Sequence, residues 1–310
     1  VVVDKQSQPQ GEALRGESVP EAAVFYASPL MQFAELRGDR IYPQTSRYRR
    51  SVAVVEDVVI ECFDVHGGET KDWILQHAGG PPECSMAMEP ASFEPADWLY
   101  NGSDRVFMSM NGEDWSATWS VGNITSRLSM PGVPGTQVYR LETFPIENAV
   151  VTKDHPVCQT LCVRRRQDGP FLAIWDTWEV EPNLQSIACV PGQPALLIHT
   201  KNNVYHLLFG PGQAPFPDGI TLAGDGSVSL LRNRDALALA GGTWTSVSAA
   251  NGESARISLN KTGSAEWDWS QGSDRLGRAA PIQYDTFGGV DHPRDCGDIV
   301  AAIEGRLSPE

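Results

Sequence analysis

The sequence predicts an all-β fold, a large antiparallel β-sandwich with few or no helices. Apolar and polar residues alternate with a period of two in most segments, which is the spacing of a half-buried strand. Turn residues separate these segments at short intervals, and the chain contains 29 glycines and 22 prolines. No stretch longer than about ten residues has a helical period. We therefore expect two packed antiparallel sheets in a single domain that spans residues 1–310.

The strands are predicted to follow one another along the chain as hairpins. The predicted pairs are residues 51–55 with 58–65, 161–166 with 171–178, 195–199 with 204–209, 220–222 with 228–232, and 243–247 with 256–259. The corresponding turns contain Glu56-Asp57, Gln167 to Pro170, Asn202-Asn203, Gly224-Asp225-Gly226 and Asn251-Gly252. Asn-Gly is a favoured pair for a tight hairpin turn, so the last of these turns has the strongest local signal.

Composition excludes several classes of partner. The 24 basic and 39 acidic residues give a net charge of −15, which disfavours nucleic acid because its binding depends on neutralising phosphates. No apolar run approaches the roughly 20 residues of a membrane span. Six cysteines occur without a Cys-x-x-Cys pair, so no metal site is predicted. We expect no cofactor, no nucleic acid and no membrane.

The opening residues and one long hairpin carry motifs in a definite order. Residues 1–8 read Val-Val-Val-Asp-Lys-Gln-Ser-Gln, an arginine-led hairpin over residues 47–68 ends in two glycines, and Asp72-Trp73 is followed by His77. This order resembles the start of the C-terminal β-domain of heparinase II/III-like polysaccharide lyases. The resemblance is strongest over residues 1–80 and weakens beyond them.

The resemblance implies a fold, a reaction and a location. It implies a supersandwich as the C-terminal part of a longer periplasmic or secreted protein, packed on an α/α-toroid domain that this chain lacks. Such proteins cleave acidic, uronic-acid polysaccharides by β-elimination, and the toroid carries much of the catalytic machinery. This chain alone is then expected to be inactive. Tyr48 and Lys71 stand where relatives carry histidines, which argues against the zinc site of some relatives.

The resemblance also assigns candidate site residues. His77 matches a histidine of the family's cleft and is the predicted catalytic residue. Arg49, Arg50, His66 and Trp73 are the predicted substrate-binding residues, the arginines because a guanidinium neutralises a carboxylate or sulfate. A hydrogen-bonded histidine at a strand end remains the structural alternative for His77, and a solvated turn residue the alternative for His66.

The rival function is a non-catalytic carbohydrate-binding or structural β module. Aromatic side chains stack on sugar rings as readily as they fill a core. Residues 98–100, Trp-Leu-Tyr, resemble a platform in a loop, and Trp267 and Trp269 share one face of a strand. Exposed aromatic rows would favour the binding module, and buried tryptophans would favour a scaffold.

A second candidate site depends on hairpin geometry alone. If Asn202-Asn203 form a two-residue turn, His199 lies directly opposite His206 on the neighbouring strand. Directly opposed residues have Cβ atoms about 4.5–5.5 Å apart, so the two imidazoles would lie within reach of one metal ion or one proton. A zinc site needs three or four ligands, so a neutral, hydrogen-bonded pair is the alternative.

Overall fold

The computed structural model describes residues 1–6, 21–39, 41–77, 80–93, 105–143, 146–147, 150–151, 158–271, 276–279 and 301–308. Almost all regular structure in these ranges is β-strand, and the predicted all-β fold is confirmed. The described residues contain no α-helix, and one 3₁₀ turn spans Trp269–Gln271.

The strands of the first half of the chain are β1 (Val2–Val3), β2 (Glu21–Ala27), β3 (Gln32–Arg37), β4 (Thr45–Val55), β5 (Val58–Gly67), β6 (Lys71–His77), β7 (Glu83–Cys84), β8 (Glu89–Pro90), β9 (Val106–Asn111), β10 (Trp115–Val121), β11 (Ile124–Met130), β12 (Thr136–Thr143), β13 (Ile146–Glu147) and β14 (Val150–Val151). Those of the second half are β15 (Cys158–Arg165), β16 (Gly169–Trp178), β17 (Leu184–Cys189), β18 (Ala195–Thr200), β19 (Val204–Phe209), β20 (Gly212–Pro215), β21 (Ile220–Gly224), β22 (Val228–Arg232), β23 (Ala236–Ala249), β24 (Ser254–Asp268), β25 (Leu276–Ala279) and β26 (Ala301–Gly305).

The chain divides into two compact units. The first comprises Val1–Pro20, Gly38–Arg49 and Phe63–Glu181, and the second comprises Glu21–Arg37, Arg50–Cys62 and Pro182–Glu310. The boundaries fall within the long strands β4 and β5, so one hairpin contributes residues to each unit. The single domain expected from the sequence stays a prediction.

The first unit is a sandwich of two antiparallel sheets. One sheet has the order β1-β6-β15-β12-β9-β8, and β16, β11, β10 and β7 are successive neighbours in the other. Alternate residues of each strand point inward, as the period of two requires. The inward residues that form the core include Trp73, Trp115, Ala117, Leu128, Met130, Val138, Leu161, Val163, Phe171 and Ala173.

The second unit centres on a ten-stranded sheet. Its order is β17-β18-β19-β22-β23-β21-β20, with β24 on β23 and with β25 and β26 on β24. One face carries an aliphatic core to which every central strand contributes. Its fully enclosed members include Ala195, Ile220, Leu222, Leu231, Leu237, Leu239 and Ile257.

Three of the five predicted hairpins are confirmed as strand pairs, including β18 with β19, and two are wrong. β4 neighbours β5 across Glu56-Asp57, and β23 pairs with β24 across a turn in which Gly252 has a φ of +89°. β15 and β16, however, lie in different sheets. Both edges of β15 are taken by β6 and β12, whereas β16 pairs with β11. β21 pairs with β20 and β23, and β22 pairs with β19 and β23, so β21 and β22 are not partners. Alternation identifies a strand but does not identify its partner.

The predicted register of the His199 hairpin is also wrong. His199 pairs with Val204, and His206 pairs with Leu197. The turn lies one residue earlier than predicted because Thr200 closes it: its amide donates to the Asn203 carbonyl at 2.9 Å, and its Oγ1 accepts from the Asn203 amide at 3.0 Å. The two histidines are therefore diagonal neighbours on one face, at a Cα separation of about 7–8 Å, instead of a direct pair.

Candidate functional site

The inner face of the six-stranded sheet changes from apolar to polar at one end of the first unit. Its last inward positions on four neighbouring strands bear polar or charged side chains, which we call the polar rim: His77 on β6, Gln159 on β15, Arg140 and Glu142 on β12, and Arg105 just before β9. Gln159 pairs in register with His77 on one side and with Glu142 on the other. Four strands thus bring these side chains into one row.

Alternation shows that the rim faces inward. On β15, Gln159 follows the same face as Leu161 and Val163, which are fully enclosed in the core between the sheets. On β12, Arg140 is two residues from the enclosed Val138. Neither pairing contains a bulge, so the period of two holds and the rim continues the core face toward solvent.

His77 is held at the rim by an aromatic stack. Its imidazole lies parallel to the indole of Trp119 on the opposite sheet, with ring centroids 4.6 Å apart and planes 22° apart. Trp119 meets Trp175 edge to face at 6.0 Å, and Trp175 lies 6.2 Å from Trp73. This aromatic row runs from the core to the rim and fixes the orientation of the imidazole.

Arg140 brings a positive charge to the rim. Its guanidinium lies over the Phe107 ring, 4.5 Å from the centroid, and its Nη1 donates to the Pro82 carbonyl at 3.3 Å. Burial raises the pKa of the nearby Cys84 thiol, and the charge of Arg140 opposes that rise. Among the described residues, no carboxylate lies within ion-pair distance of Arg140.

Gln159 and Glu142 complete the row. Gln159 is 5% exposed, and its Oε1 is buried without a hydrogen-bond donor among the described residues. Glu142 lies 3.6 Å from Arg105, whose side chain is 73% exposed. The rim therefore grades from an enclosed amide to a solvent-exposed ion pair. It combines an imidazole, an amide and a guanidinium. The imidazole can transfer a proton, and the amide and the guanidinium can form hydrogen bonds with a polar ligand.

The predicted arginines are not placed at this rim. Arg49 Nη2 lies 3.0 Å from Asp39 Oδ2, in the first unit. Arg50 Nε lies 2.7 Å from Glu61 Oε1, in the second unit. Each guanidinium already has a carboxylate from this chain, so its charge is compensated. Their predicted contact with substrate is untested and stays a prediction.

His66 and Trp73 have local partners as well. His66 Nε2 lies 2.9 Å from Asp64 Oδ1, and the same carboxylate binds Arg47 through Oδ2 at 2.8 Å. Trp73 is 3% exposed and packs as a core residue beside Trp175. The substrate contacts predicted for His66 and Trp73 also stay predictions. Residues 98–100, the predicted loop platform, lie outside the described residues.

The motifs that carry the family resemblance meet in one turn. β1 pairs with β6, and the Asp4 carboxylate accepts from the amides of Glu69 and Thr70 at 2.6 and 2.8 Å. Gly67 and Gly68 have φ values of +91° and +74°, which favour glycine. The Val-Val-Val-Asp strand and the Gly-Gly segment therefore serve a common structural purpose, which is to position the start of β6.

Sequence reasoning found one member of the rim and missed the others. The signal was present in the pattern: Gln159 and Arg140 are polar residues on the apolar face of their strands, in phase with Leu161 and Val138. Because alternation within one strand does not show which strands are neighbours, the row across four strands could not be read from it. Trp119 is one of nine tryptophans in the chain, and its local sequence does not distinguish it from the others.

The histidine pair of the second unit forms a different arrangement from the one predicted. His206 is 2% exposed, and its Nε2 lies 2.7 Å from Asp218 Oδ2. Burial lowers the pKa of His206, the charges of Arg234 and His199 lower it further, and Asp218 opposes them. Phe216 packs edge to face against the ring at 4.8 Å. His206 is therefore a buried imidazole oriented by a carboxylate, and its burial favours the neutral form.

Neither a metal-binding cluster, nor a membrane span, nor a similar known protein points to a functional site in the described part of this chain. Within the described ranges, no group of three or more His, Cys, Asp or Glu side chains is arranged to hold a metal ion. None of the helical structure in the described part of the chain is long and apolar enough to cross a membrane. No protein-family model and no curated protein matches the chain. The geometry of the polar rim is therefore what makes it the candidate functional site.

Proposed function

We propose that this chain is the β-domain of a polysaccharide lyase-like protein that cleaves uronic-acid glycans by β-elimination. In this proposal it contributes substrate-cleft residues, and an α/α-toroid domain supplies the rest of the catalytic site. The observation that carries the proposal is the position of His77, the histidine matched by the family resemblance. It stands at the solvent end of the sandwich, fixed on Trp119 and in register with Gln159.

The rim offers the chemistry that β-elimination requires from a supporting domain. The reaction removes a proton next to a carboxylate, so it needs a base and a group that stabilises the developing charge. The imidazole of His77 is a side chain of the type that serves as a general acid or base. The amide of Gln159 and the guanidinium of Arg140 can hydrogen-bond to a carboxylate.

The test uses the full-length protein and ultraviolet absorbance of the unsaturated uronate product. Alginate, heparan and related polymers serve as substrates, with the 310-residue chain alone as comparison. We expect product from the full-length protein only, and His77→Ala in that protein to lower turnover about a hundredfold or more, the range for a lost acid–base group. His199→Ala is the control, because His199 lies on β18 in the second unit and has no part in the proposed cleft. Unchanged turnover in His77→Ala removes the assignment.

A second function is favoured by one observation. Arg47, Arg49 and Arg50 are each bound to a carboxylate of this chain, so the arginine-led hairpin does not offer an uncompensated basic cleft. A non-catalytic carbohydrate-binding module would need only the aromatic row and the amide of the rim. Glycan binding by the chain, together with no product from the full-length protein on any uronate polymer, would select this alternative.

A further inference from the structure

Arg140 differs from the other half-buried arginines of the first unit. Arg164 makes a two-pronged ion pair with Asp72 at 2.7 Å for both contacts, and Arg127 lies 3.2 Å from Asp176. The buried Arg165 has no acid among the described residues but donates to the Thr136 hydroxyl and the Pro170 carbonyl. Arg140 has one carbonyl and one ring as described partners. Although the chain has 39 acidic residues, none of those described forms an ion pair with Arg140.

Gln159 has a side-chain oxygen without a hydrogen-bond donor, on the same face of the sheet as Arg140. Arg140 pairs with Leu161, so Gln159, two residues away on β15, is its diagonal neighbour. Diagonal neighbours on one face lie about 7–8 Å apart, within reach of a long side chain. The buried Oε1 of Gln159 has no donor among the described residues, and an unmatched buried acceptor destabilises the folded chain.

We infer that Arg140 and Gln159 form a subsite for one uronate residue, in which the guanidinium binds the carboxylate and the amide binds a ring hydroxyl. The inference rests on the proposed function for its class of ligand and adds the residues that select it. Two unmet groups decide the chemistry. The planar guanidinium matches a carboxylate, and the amide oxygen requires a donor, which a hydroxyl supplies. A uronate carries both on one ring, whereas a neutral sugar lacks the carboxylate.

The neighbours of the two residues fit this ligand. Trp119 is half-buried beside the rim and contacts the rings of His77 and Trp175, so the exposed part of its indole can border a sugar ring. The pair of Glu142 with the exposed Arg105 lies on the solvent side, adjacent to Gln159 in the sheet. Entry from that side would bring the carboxylate to Arg140 and the hydroxyl to Gln159.

Calorimetric titration of the 310-residue chain tests the subsite. The ligands are an alginate oligouronate and the same oligomer with its carboxylates reduced to alcohols. We expect the oligouronate to bind at least about tenfold more tightly than the reduced oligomer, because a hydrogen bond to a charged group is worth about that factor or more. Arg140→Gln should remove this preference, and Gln159→Leu should weaken binding of both oligomers.

Controls separate the subsite from general charge and from folding. Arg256→Gln removes the same charge and the same kind of ring contact, from Trp244 in the second unit, and should bind like the unaltered chain. Arg140→Lys keeps the charge without the planar fork and should give an intermediate affinity. The two-ligand comparison on the unaltered chain needs no variant, so it stands even if Arg140→Gln does not fold.

Several results would overturn the inference. They are equal affinity for the two oligomers, no binding of either, or an Arg140→Gln variant that binds like Arg256→Gln. The lyase assay is separate: an Arg140-dependent preference without product formation keeps the subsite and removes the proposed reaction. Product formation by the full-length protein with no such preference keeps the reaction and removes the subsite.

Discussion

A hairpin tip in the second unit and the polar rim of the first unit differ in how far their polar groups are matched within the chain. The Glu56 carboxylate at the tip of the β4–β5 hairpin accepts from the amides of Asn183 and Asn203 and from the hydroxyl of Tyr205. In the first unit, Arg140 and Gln159 keep capacity that the described residues do not fill. The groups that fasten the hairpin tip are matched within the chain, whereas those at the rim are the ones that we propose to meet a ligand.

Each unit also contains an exception to this difference between matched and unmatched polar groups. The first unit contains a fully matched buried pair, Asp72 with Arg164. The second contains His206, whose Nδ1 is buried without a partner among the described residues. The distinction therefore lies in position: Gln159 and Arg140 stand where an apolar face reaches solvent, and His206 lies beneath Asp218 and Phe216.

The largest expected effect comes from breaking the buried pair of the first unit. Asp72→Ala leaves the guanidinium of Arg164, whose side chain is 11% exposed, without its carboxylate. We expect a loss of about 3 kcal/mol or more in the free energy of unfolding, measured by urea denaturation. Asp235→Ala in the second unit is the control: its pair with Arg232 is 21–24% exposed, so a loss of about 1 kcal/mol or less is expected. Equal losses would show that burial does not distinguish the pairs.

A smaller effect is expected at the hairpin tip of the second unit. Glu56→Gln replaces a charged acceptor of several hydrogen bonds, which we expect to cost about 1–2 kcal/mol in chemical denaturation. Asp57→Asn, one residue along the same turn, removes an equal charge and should change stability by less than about 0.5 kcal/mol. If the two variants lose equal stability, the hydrogen bonds to Glu56 do not hold the tip.

The Glu56 carboxylate also predicts how the stability of the fold depends on pH in acid. Burial alone would raise the pKa of Glu56, but hydrogen bonds from Asn183, Asn203, Tyr205 and Thr200 outweigh it and hold the pKa below the ordinary value of 4.5. Its contribution is therefore complete above about pH 4.5 and is lost as the pH falls through the lowered folded pKa. The stability difference between the unaltered chain and Glu56→Gln should shrink on acidification in that window.

The smallest expected effect is at His206. Burial lowers its pKa from the ordinary value of 6.5, so the unfolded chain binds a proton there before the folded chain does. Stability should be unaffected by this group above about pH 6.5 and should fall below it, by at most about 1.4 kcal/mol per pH unit. His206→Gln should remove that part of the slope, and His66→Gln, in the first unit, should keep it. A slope unchanged by His206→Gln would contradict the assignment.

The local sequence pattern was sufficient to predict strands and turns but not to predict which strands pair with each other. The alternation around Glu56-Asp57 and the Asn251-Gly252 turn placed two hairpins correctly, because both depend on neighbours in sequence. β15 and β16 were expected to pair and lie in different sheets, since the chain can turn from one sheet to the other with the same loop. The His199 register was wrong because the Thr200 side chain moved the turn by one residue.

The amino-acid sequence by itself determined the all-β fold, the inward face of each strand and the presence of His77 at the end of β6, because these follow from a period of two and from local turn chemistry. Only the tertiary structure decided what stands beside His77. Gln159 and Arg140 come from strands more than sixty residues away, and Trp119 comes from the facing sheet. Pairing between distant strands depends on long-range packing, which no local pattern encodes.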